Sequence, residues 1–360
     1  MCLGLNLTLF LSSIWYNFFS AIECEAPVSA HTAAFTPQIL RIIKLDGAVG
    51  DSNVNKLTLF KDAFASPLDL EQVGHLDYAV WQNATLKGNP CSEDFDKTVS
   101  VLGLKWNLSN VTLSCDFKDS SVKQPVSKRN ILSIVHRSFD PTGFTAPDTL
   151  ITKLMLQECW KQKISWDNNL PKSLSDKFES WKNKLHNLEK ITIPRRFFAD
   201  FETISDLSLH VFCDASKSAY ATCIFMRNCN ENSVTSQVQL ISGRSRVAPI
   251  KPISIPRLEL FACTIGARLA HRVKEDLRLE TLHIYYWSDS MDALFWIKKK
   301  ENWAVFVHNR VKEIRTLSNP NDWNYIPGTQ NPADLPSRGC SPETLVKSKW
   351  WEGPDWLRND

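Results

Sequence analysis

An alternation of apolar runs in the second half of the chain constrains its fold more than any other feature. Apolar runs near 208–213, 219–226 and 237–243 are joined by short links, which favour antiparallel pairing of consecutive strands. A long amphipathic pattern follows at about 256–277, and a further apolar run lies near 282–287. Because a strand reached through a helical crossover normally returns parallel, the sequence predicts a mixed sheet covered by helices.

Four acidic residues lie where these predicted elements begin or end. Asp214 ends the first apolar run and Asp289 ends the last one, whereas Glu259 lies near the start of the long helix and Asp334 follows a turn-rich segment. A single Asp at a strand end is usually a turn or cap residue, so the inference depends on the set. If the fold gathers the four carboxylates, bound cations or protons must relieve their repulsion. The pattern indicates a divalent-metal nuclease.

The composition fits an ordinary globular protein. A chain of 360 residues with 43% hydrophobic residues is long enough for about two domains. A net charge of +3 permits contact with a polyanion but does not identify one. Ten cysteines occur without CxxC pairs, which favours reduced thiols over a disulfide framework or a zinc site. We therefore expect a cytoplasmic or nuclear location.

The N-terminal segment leaves secretion as an alternative. Residues 1–22 carry no charged side chain, but no Lys or Arg precedes the apolar part, and the small-residue pattern at 28–30 lies beyond two glutamates. We favour a buried or truncated segment over a signal peptide. The sequons at Asn6, Asn83, Asn107 and Asn110 matter only for a secreted glycoprotein. No other stretch approaches the roughly 20 apolar residues that cross a bilayer, so membrane association is not expected.

The first half of the chain carries weaker patterns. A strand is predicted near 101–106, with a second strand near 111–115 as its hairpin partner. Helices are predicted at 127–138, 149–163 and 173–188, from their capping residues and apolar spacing. These helices predict a helical subdomain before the sheet.

Four motifs carry the acidic residues in a fixed order. They are Val211-Phe212-Cys213-Asp214-Ala215-Ser216, Ile255-Pro256-Arg257-Leu258-Glu259-Leu260, Trp287-Ser288-Asp289-Ser290, and Ile326-Pro327-Gly328 followed by Asn331-Pro332-Ala333-Asp334-Leu335-Pro336-Ser337-Arg338. In order and approximate spacing they resemble the ribonuclease H domain of BEL/Pao-type retrotransposon polyproteins, the Pao retrotransposon peptidase family. Upstream segments of the sequence, such as Gln157-Glu158-Cys159-Trp160, resemble the region that joins reverse transcriptase to that domain.

The resemblance implies an α/β fold with a ribonuclease H-like mixed five-stranded sheet flanked by helices, preceded by a mainly helical reverse transcriptase-derived region. Residues 1–30 would be an apolar N-terminal segment of uncertain role, and 31–200 a degenerate reverse transcriptase palm/thumb-connection remnant. Residues 201–345 would form the ribonuclease H-like domain, and 346–360 a C-terminal linker.

The resemblance also implies a catalytic, metal-binding role for Asp214, Glu259, Asp289 and Asp334. They would hold two Mg²⁺ or Mn²⁺ ions, with Asp214 bridging both ions, Glu259 and Asp289 completing one site, and Asp334 helping to hold the other. Two hard cations about 4 Å apart need oxygen ligands that leave positions for water and the scissile phosphate. The expected reaction is hydrolysis of the RNA strand of an RNA/DNA hybrid, with no small-molecule cofactor. Other parts of a retroelement polyprotein are candidate partners.

Six further residues are candidates for substrate contact: Ser216, Arg244, Arg246, Lys298, Lys299 and Lys300. The three lysines lie between Trp296 and Trp303, and a cluster of basic and aromatic side chains suits a phosphate backbone and its sugars. The alternative is a solvated helix end, where Lys favours the negative pole of the helix dipole.

Departures from the family pattern support a second reading. Tyr325 stands before Ile326-Pro327-Gly328 where the family often has His, and no His follows before Asp334. The chain contains no Asp-Asp dipeptide for a polymerase and no Asp-Ser/Thr-Gly motif for an aspartic peptidase. The alternative function is a catalytically silent nucleic-acid-binding or interaction remnant of a retrotransposon polyprotein.

Overall fold

The structure is a computed structural model that describes residues 98–101, 104–107, 110, 112–115, 126–137, 140, 142–194, 206–229, 236–277, 279 and 281–359. The chain divides into two compact units, and the described residues belong to the unit that includes Lys97–Asp360. The predicted N-terminal segment, 1–30, lies outside the described residues.

The elements are labelled in chain order. The strands of the described residues are β1 (Thr98–Val101), β2 (Leu104–Asn107), β3 (Thr112–Cys115), β4 (Ile193–Pro194), β5 (Asp206–Ala215), β6 (Ala219–Cys229), β7 (Gln237–Val247), β8 (His283–Ser288) and β9 (Trp323–Tyr325). The α-helices are α1 (Lys128–Arg137), α2 (Ala146–Lys161), α3 (Lys172–Lys182), α4 (Ile255–Leu277), α5 (Met291–Lys298), α6 (Val305–Leu317), α7 (Asp334–Arg338) and α8 (Pro342–Lys347).

The larger sheet has five strands in the order β7-β6-β5-β8-β9. Its first three strands in the chain pair antiparallel, as their short links require. After the long helix α4, strand β8 pairs parallel to β5, and β9 pairs parallel to β8. This arrangement confirms the predicted mixed five-stranded sheet flanked by helices.

Both faces of the five-stranded sheet are covered. On one face, α4 packs against β5 and β6, and its buried side chains include Leu258, Ala262 and Ala270. The other face carries a second apolar cluster that includes Phe212 and Phe225. Because both faces are buried, strand β5 has seven consecutive buried residues, and it holds side chains at its end in fixed positions.

The helices before the sheet pack directly onto it. The backbone N–H of Gly243 in β7 donates to the carbonyl of Thr142 over 2.9 Å, and Ser242 Oγ donates to the same carbonyl over 2.6 Å. Gly143 has φ +80°, and a Cβ at this position would lie 1.7 Å from the carbonyl oxygen of Gly243. Only glycine permits this backbone contact, which fixes the start of α2 against the sheet.

A smaller sheet has four strands in the order β1-β2-β3-β4, and it differs from one sequence prediction. The single strand predicted near 101–106 is wrong, because β1 ends at Val101, β2 begins at Leu104, and the two pair antiparallel. The predicted pairing of the second strand is confirmed, since Asn107 of β2 lies opposite Thr112 of β3. The sequence between β1 and β2 includes Gly103, and glycine weakens the interior of a strand.

The three helices predicted in the first half are present as α1, α2 and α3, and α3 ends at Lys182, before the predicted residue 188. A 3₁₀ helix, Leu185–Lys190, follows it. Together with the four short strands, these elements make the described part of 98–194 mainly helical.

Residues 346–360, expected to be a linker, are packed where the structure describes them. Trp350 and Leu357 are buried in the apolar cluster of Phe212 and Phe225, and Trp350 Nε1 donates to the carbonyl of Phe144 over 2.8 Å. An extended linker would expose these side chains, so the segment contributes to the core beneath the sheet. Among the residues that the structure describes, no helix is both long and apolar enough to cross a membrane.

Candidate functional site

Two of the four predicted acids lie at the ends of neighbouring parallel strands. Cys213 of β5 lies opposite Ser288 of β8, and each is followed by an aspartate, Asp214 or Asp289. Because the strands are parallel and in register, their next residues emerge at the same edge of the sheet. The register alone therefore brings the two carboxylates together.

Glu259 is on helix α4, and its carboxylate lies at the same edge of the sheet. It lies in the second turn of α4, is only 6% exposed, and its carboxylate hydrogen bonds to the backbone of Ala215. The other carboxylate oxygen, Oε2, is buried and makes no hydrogen bond to any described residue. A buried carboxylate oxygen without a partner is unfavourable, so this atom requires a proton or a cation.

Asp214, Glu259 and Asp289 form one group. Each offers a carboxylate oxygen, and these oxygens lie within 4.8 Å of one another. Gly328 closes the site near Asp289, because a Cβ there would lie 2.8 Å from Asp289 Oδ2. The predicted convergence of these acids is therefore present for three of the four.

The electrostatics of the group follow from its burial. Burial raises the pKa of Glu259 to about 9, and the charges of Asp214 and Asp289 act in the same direction. Burial also raises the pKa of Asp214 to about 6, against the hydrogen bond from Ser337. The pKa of Asp289 is raised by burial as well, although its own backbone and Asn331 hydrogen bond to it. The three groups together hold their negative charge at high free energy.

The donor set fits a hard divalent cation. Carboxylate oxygens are the ligands that Mg²⁺ and Mn²⁺ prefer, and three of them converge here. The fit rests on the buried Oε2 of Glu259, which has no protein partner in the described residues and lies among like charges. A cation would satisfy that atom and cancel the repulsion in one step.

Asp334 does not join this group of described residues. It is the first residue of the short helix α7, and its Oδ1 accepts a hydrogen bond from Arg338 Nε one turn later. Both side chains are substantially exposed, 42% for Asp334 and 69% for Arg338. Asp334 still lies near enough for its charge to raise the pKa values of Asp214 and Asp289. The fourth acid is thus adjacent to the group but paired with an arginine.

Two residues of the site were not predicted from the sequence. Ser337 Oγ donates a hydrogen bond to Asp214 Oδ2, and Asn331 Nδ2 donates to the carbonyl of Cys213 over 2.9 Å and to Asp289 Oδ1 over 3.5 Å. Ser337 lies three residues after Asp334, which is the spacing of one helical face, and this was the available signal. The contacts of Asn331 depend on the loop after β9 and leave no local pattern.

Three of the residues predicted to contact substrate, Ser216, Arg244 and Arg246, already contact other residues of the protein. Ser216 Oγ donates to the carbonyl of Ser337 over 2.8 Å and accepts from the backbone N–H groups of Ser218 and Ala219, so it holds the turn after β5. Arg244 is half-buried in β7, and its pKa is lowered by burial, with Asp140 and Arg246 as charged neighbours. Arg246 is also half-buried in this strand.

The three lysine candidates lie together at the end of α5. Lys298, Lys299 and Lys300 are all exposed, and Phe295 in the preceding turn is 47% exposed. Arg315 donates to the carbonyls of Ile297 and Lys299 over 2.8 and 2.7 Å. Because Arg315 already satisfies carbonyls at this helix end, the lysines are not required as caps there.

Tyr325 occupies the position where the family often has His. It is the last residue of β9, lies opposite Ser288 of β8, and its side chain is 52% exposed. Its backbone therefore lies beside Ser288, one residue before Asp289, at the same sheet end.

Comparison with protein families gives a match over part of the chain. Residues 127–290 match the model described as the Pao retrotransposon-like RNaseH-like domain, which confirms the resemblance expected from the motifs. The match begins before the expected boundary near residue 200 and ends before Asp334. With its strand order and covering helices, the five-stranded sheet is a ribonuclease H-like fold, as predicted. A comparison with curated proteins gives no match.

Solved structures show more distant similarity. A foamy viral protease-reverse transcriptase in complex with an RNA/DNA hybrid is 15% identical, covers 64% of this chain and 30% of its own, and has a TM-score of 0.40. RNase H1 from Halobacterium salinarum NRC-1 is 11% identical, covers 40% of this chain and 100% of its own, and has a TM-score of 0.23. The chain thus spans less than a third of the foamy viral protein's length.

Proposed function

We propose that this protein is a metal-dependent endoribonuclease that hydrolyses the RNA strand of RNA/DNA hybrids. One observation carries the proposal: three carboxylates, two buried and one half-buried, offer oxygens within 4.8 Å of one another at the edge of a ribonuclease H-like sheet, and Glu259 Oε2 has no protein partner among the described residues. A merely structural cluster of this kind would be destabilising, because burial opposes ionisation of all three carboxylates and the acids repel one another when charged. The match over 127–290 supports the same reading.

The proposed role of each acidic residue depends on the element that carries it. Asp214, Glu259 and Asp289 supply oxygen ligands from rigid elements, a strand end, a helix and a second strand end. Asp334 is the proposed additional ligand, and it must exchange its contact with Arg338 to serve as one. Two bound divalent cations would activate the attacking water and stabilise the leaving oxygen. Arg338 would then be released close to the site, where a guanidinium can contact a phosphate.

Lys298, Lys299 and Lys300 are the proposed contacts to the hybrid backbone. Helix α5 starts two residues after Asp289 and has eight residues, so its lysine end lies about 12 Å along the helix from its start. A hybrid that enters the acidic site can therefore extend along α5 to the lysines. Exposed Phe295 and half-buried Trp303, whose rings contact at 5.8 Å, add aromatic surface beside them.

The domain organisation is proposed as a reverse transcriptase connection remnant within 31–200 followed by a ribonuclease H domain at 201–345. The contacts of Thr142 with Ser242 and Gly243 join the two parts as one packed body in the described residues. In this proposal the connection remnant supports β7, the outer strand of the larger sheet.

A second function is favoured by two specific observations. Asp334 is held by Arg338 and lies outside the group of three acids, and Tyr325 stands in place of the expected His. A site fixed in this state would bind nucleic acid without cleaving it. The rival proposal is therefore a catalytically silent hybrid-binding remnant of a retrotransposon polyprotein.

Cleavage of a labelled RNA/DNA hybrid by the purified chain in Mg²⁺ distinguishes the two functions. We expect cleavage of the RNA strand that is lost in chelator and falls by at least about 100-fold in Asp289→Asn, because a ligand and its charge are removed. The matched control is Asp292→Asn, the same chemical change at an exposed residue three positions away, which should cleave like the wild type.

Absence of cleavage by the wild type, or equal cleavage by Asp289→Asn, would refute the nuclease. Hybrid binding that persists without metal-dependent cleavage would instead select the silent remnant.

A further inference from the structure

The helix that carries Asp334 also touches the central acid of the site. Helix α7 has five residues, and Ser337 in its last turn is fully buried. Its hydroxyl donates a hydrogen bond to Asp214 Oδ2 and lies 3.0 Å from the carbonyl oxygen of Asp334. A single side chain thus contacts one acid of the group and the backbone of the acid outside it.

The backbone around Ser337 is fixed from strand β7 and from the turn after β5. Ser216 Oγ donates to the carbonyl of Ser337 over 2.8 Å, and Ser245 Oγ donates to the carbonyl of Pro336 over 2.7 Å. Ser245 lies opposite Ala221, which lies opposite Asp214, so this anchor belongs to the same row of the sheet as the acid. One hydroxyl group of the sheet and one of the turn after β5 therefore hold the short helix where Ser337 meets Asp214.

The hydroxyl acts on the orientation of the carboxylate. A carboxylate at a strand end can rotate about its last bond, and a donor held on one oxygen fixes that rotation. Each carboxylate oxygen has two lone pairs, so the hydrogen bond from Ser337 leaves Asp214 able to bind a cation. The buried donor also favours the ionised carboxylate that a cation requires.

We propose that Ser337 is a positioning residue that orients Asp214 for cation binding and couples it to helix α7. The inference rests on the proposed function, since it assigns a role within the same site. Ser337 itself makes no contact with substrate. It acts through Asp214, which the hydroxyl holds in the orientation that the site uses.

Mn²⁺ binding to the full chain, measured by electron paramagnetic resonance and calorimetry, tests this role without reference to turnover. Ser337→Ala is expected to bind Mn²⁺ about 10–100-fold more weakly than the wild type, the usual loss when the partner of a ligand is removed. The matched control is Ser242→Ala, which removes an equally buried hydroxyl that donates to the Thr142 carbonyl. We expect its Mn²⁺ affinity to be unchanged.

Ser337→Thr provides a rescue that a purely structural role would not give. It keeps the hydroxyl, and we expect it to restore most of the Mn²⁺ affinity and the hybrid cleavage lost in Ser337→Ala. Circular dichroism and thermal unfolding identify any variant that fails to fold. If Ser337→Ala does not fold, a folded Ser337→Thr with wild-type affinity supports the proposal, and one with weakened affinity overturns it.

The failure of this inference differs from the failure of the proposed function. If the wild type binds Mn²⁺ but folded Ser337→Ala binds it as tightly as Ser242→Ala, the positioning role is overturned and the nuclease stands. If the wild type does not bind Mn²⁺, or if Asp214→Asn binds it equally well, the proposed function falls and the role of Ser337 falls with it.

Discussion

Replacing Glu259 by Gln is expected to stabilise the cation-free protein and to weaken its response to divalent cations. Glu259 is buried, its Oε2 has no hydrogen-bond partner in the described residues, and its pKa rises from 4.5 to about 9. At pH 7 the folded protein therefore keeps the proton, whereas the unfolded chain has lost it. Glutamine has the shape and polarity of the protonated acid but carries no ionisation penalty.

The magnitude follows from the gap between pH 7 and the ordinary pKa of 4.5. Retaining a proton about 2.5 pH units above that value costs about 3 kcal/mol, at about 1.4 kcal/mol per unit. This destabilisation vanishes below pH 4.5 and grows as pH rises toward the folded pKa, because the folded state binds the additional proton. Glu259→Gln should thus be more stable than the wild type by about 3 kcal/mol at pH 7 and by less than about 1 kcal/mol at pH 5.

Urea unfolding in chelator at the two pH values measures this difference. Glu301→Gln, the same change at an exposed position, is the control and should alter the free energy of unfolding by no more than about 0.5 kcal/mol. With Mn²⁺ at about 100 times its dissociation constant, the wild type should gain about 2.7 kcal/mol and Glu259→Gln much less. A variant that is less stable than the wild type in chelator at pH 7, or an advantage that does not change with pH, would refute the reasoning.

Two further predictions concern the substrate surface and the wall of the site. Alanine at all three positions of Lys298–Lys300 should raise KM for the hybrid with little change in kcat. It should also reduce the slope of log K for hybrid binding against log salt concentration by about 2, since each lost phosphate contact removes about 0.7–0.9. An unchanged slope would exclude these lysines from the interface. Gly328→Ala places a methyl group 2.8 Å from Asp289 Oδ2 and should weaken Mn²⁺ binding about 10-fold, while circular dichroism shows an intact fold. Unaltered Mn²⁺ binding would show that the loop moves to accommodate the methyl group.

The sheet could be predicted because local patterns determine it. Buried strands on a two-sided sheet read as continuous apolar runs, and the link lengths decide whether neighbours pair antiparallel or parallel. These patterns located β5, β8 and α4, and hence Asp214, Asp289 and Glu259. Register then gathers strand-end residues without any further information, because parallel neighbours end at the same edge.

The remaining features depend on tertiary contacts that leave no periodic signal. The pairing of Asp334 with Arg338 competes with its place among the acids, and only the position of α7 decides the outcome. The hydrogen bond from Ser337 joins residues 123 positions apart. Similarly, Trp350 and Leu357 lie in a short aromatic segment whose burial depends on the sheet face that receives them.

The four acids differ in how firmly the fold holds them, and this difference has a physical consequence. Asp214 and Glu259 are buried on a central strand and a long helix, Asp289 is half-buried at a strand end, and the side chain of Asp334 is 42% exposed on a helix of five residues. Charge repulsion is strongest where water is excluded, so the demand for a cation is greatest at Asp214 and Glu259 and least at Asp334. The exposed Asp334 can exchange Arg338 for another partner at little energetic cost, because surface ion pairs contribute little to stability. The site therefore combines three fixed ligands with one adjustable ligand, and Ser337 connects the adjustable helix to the fixed group.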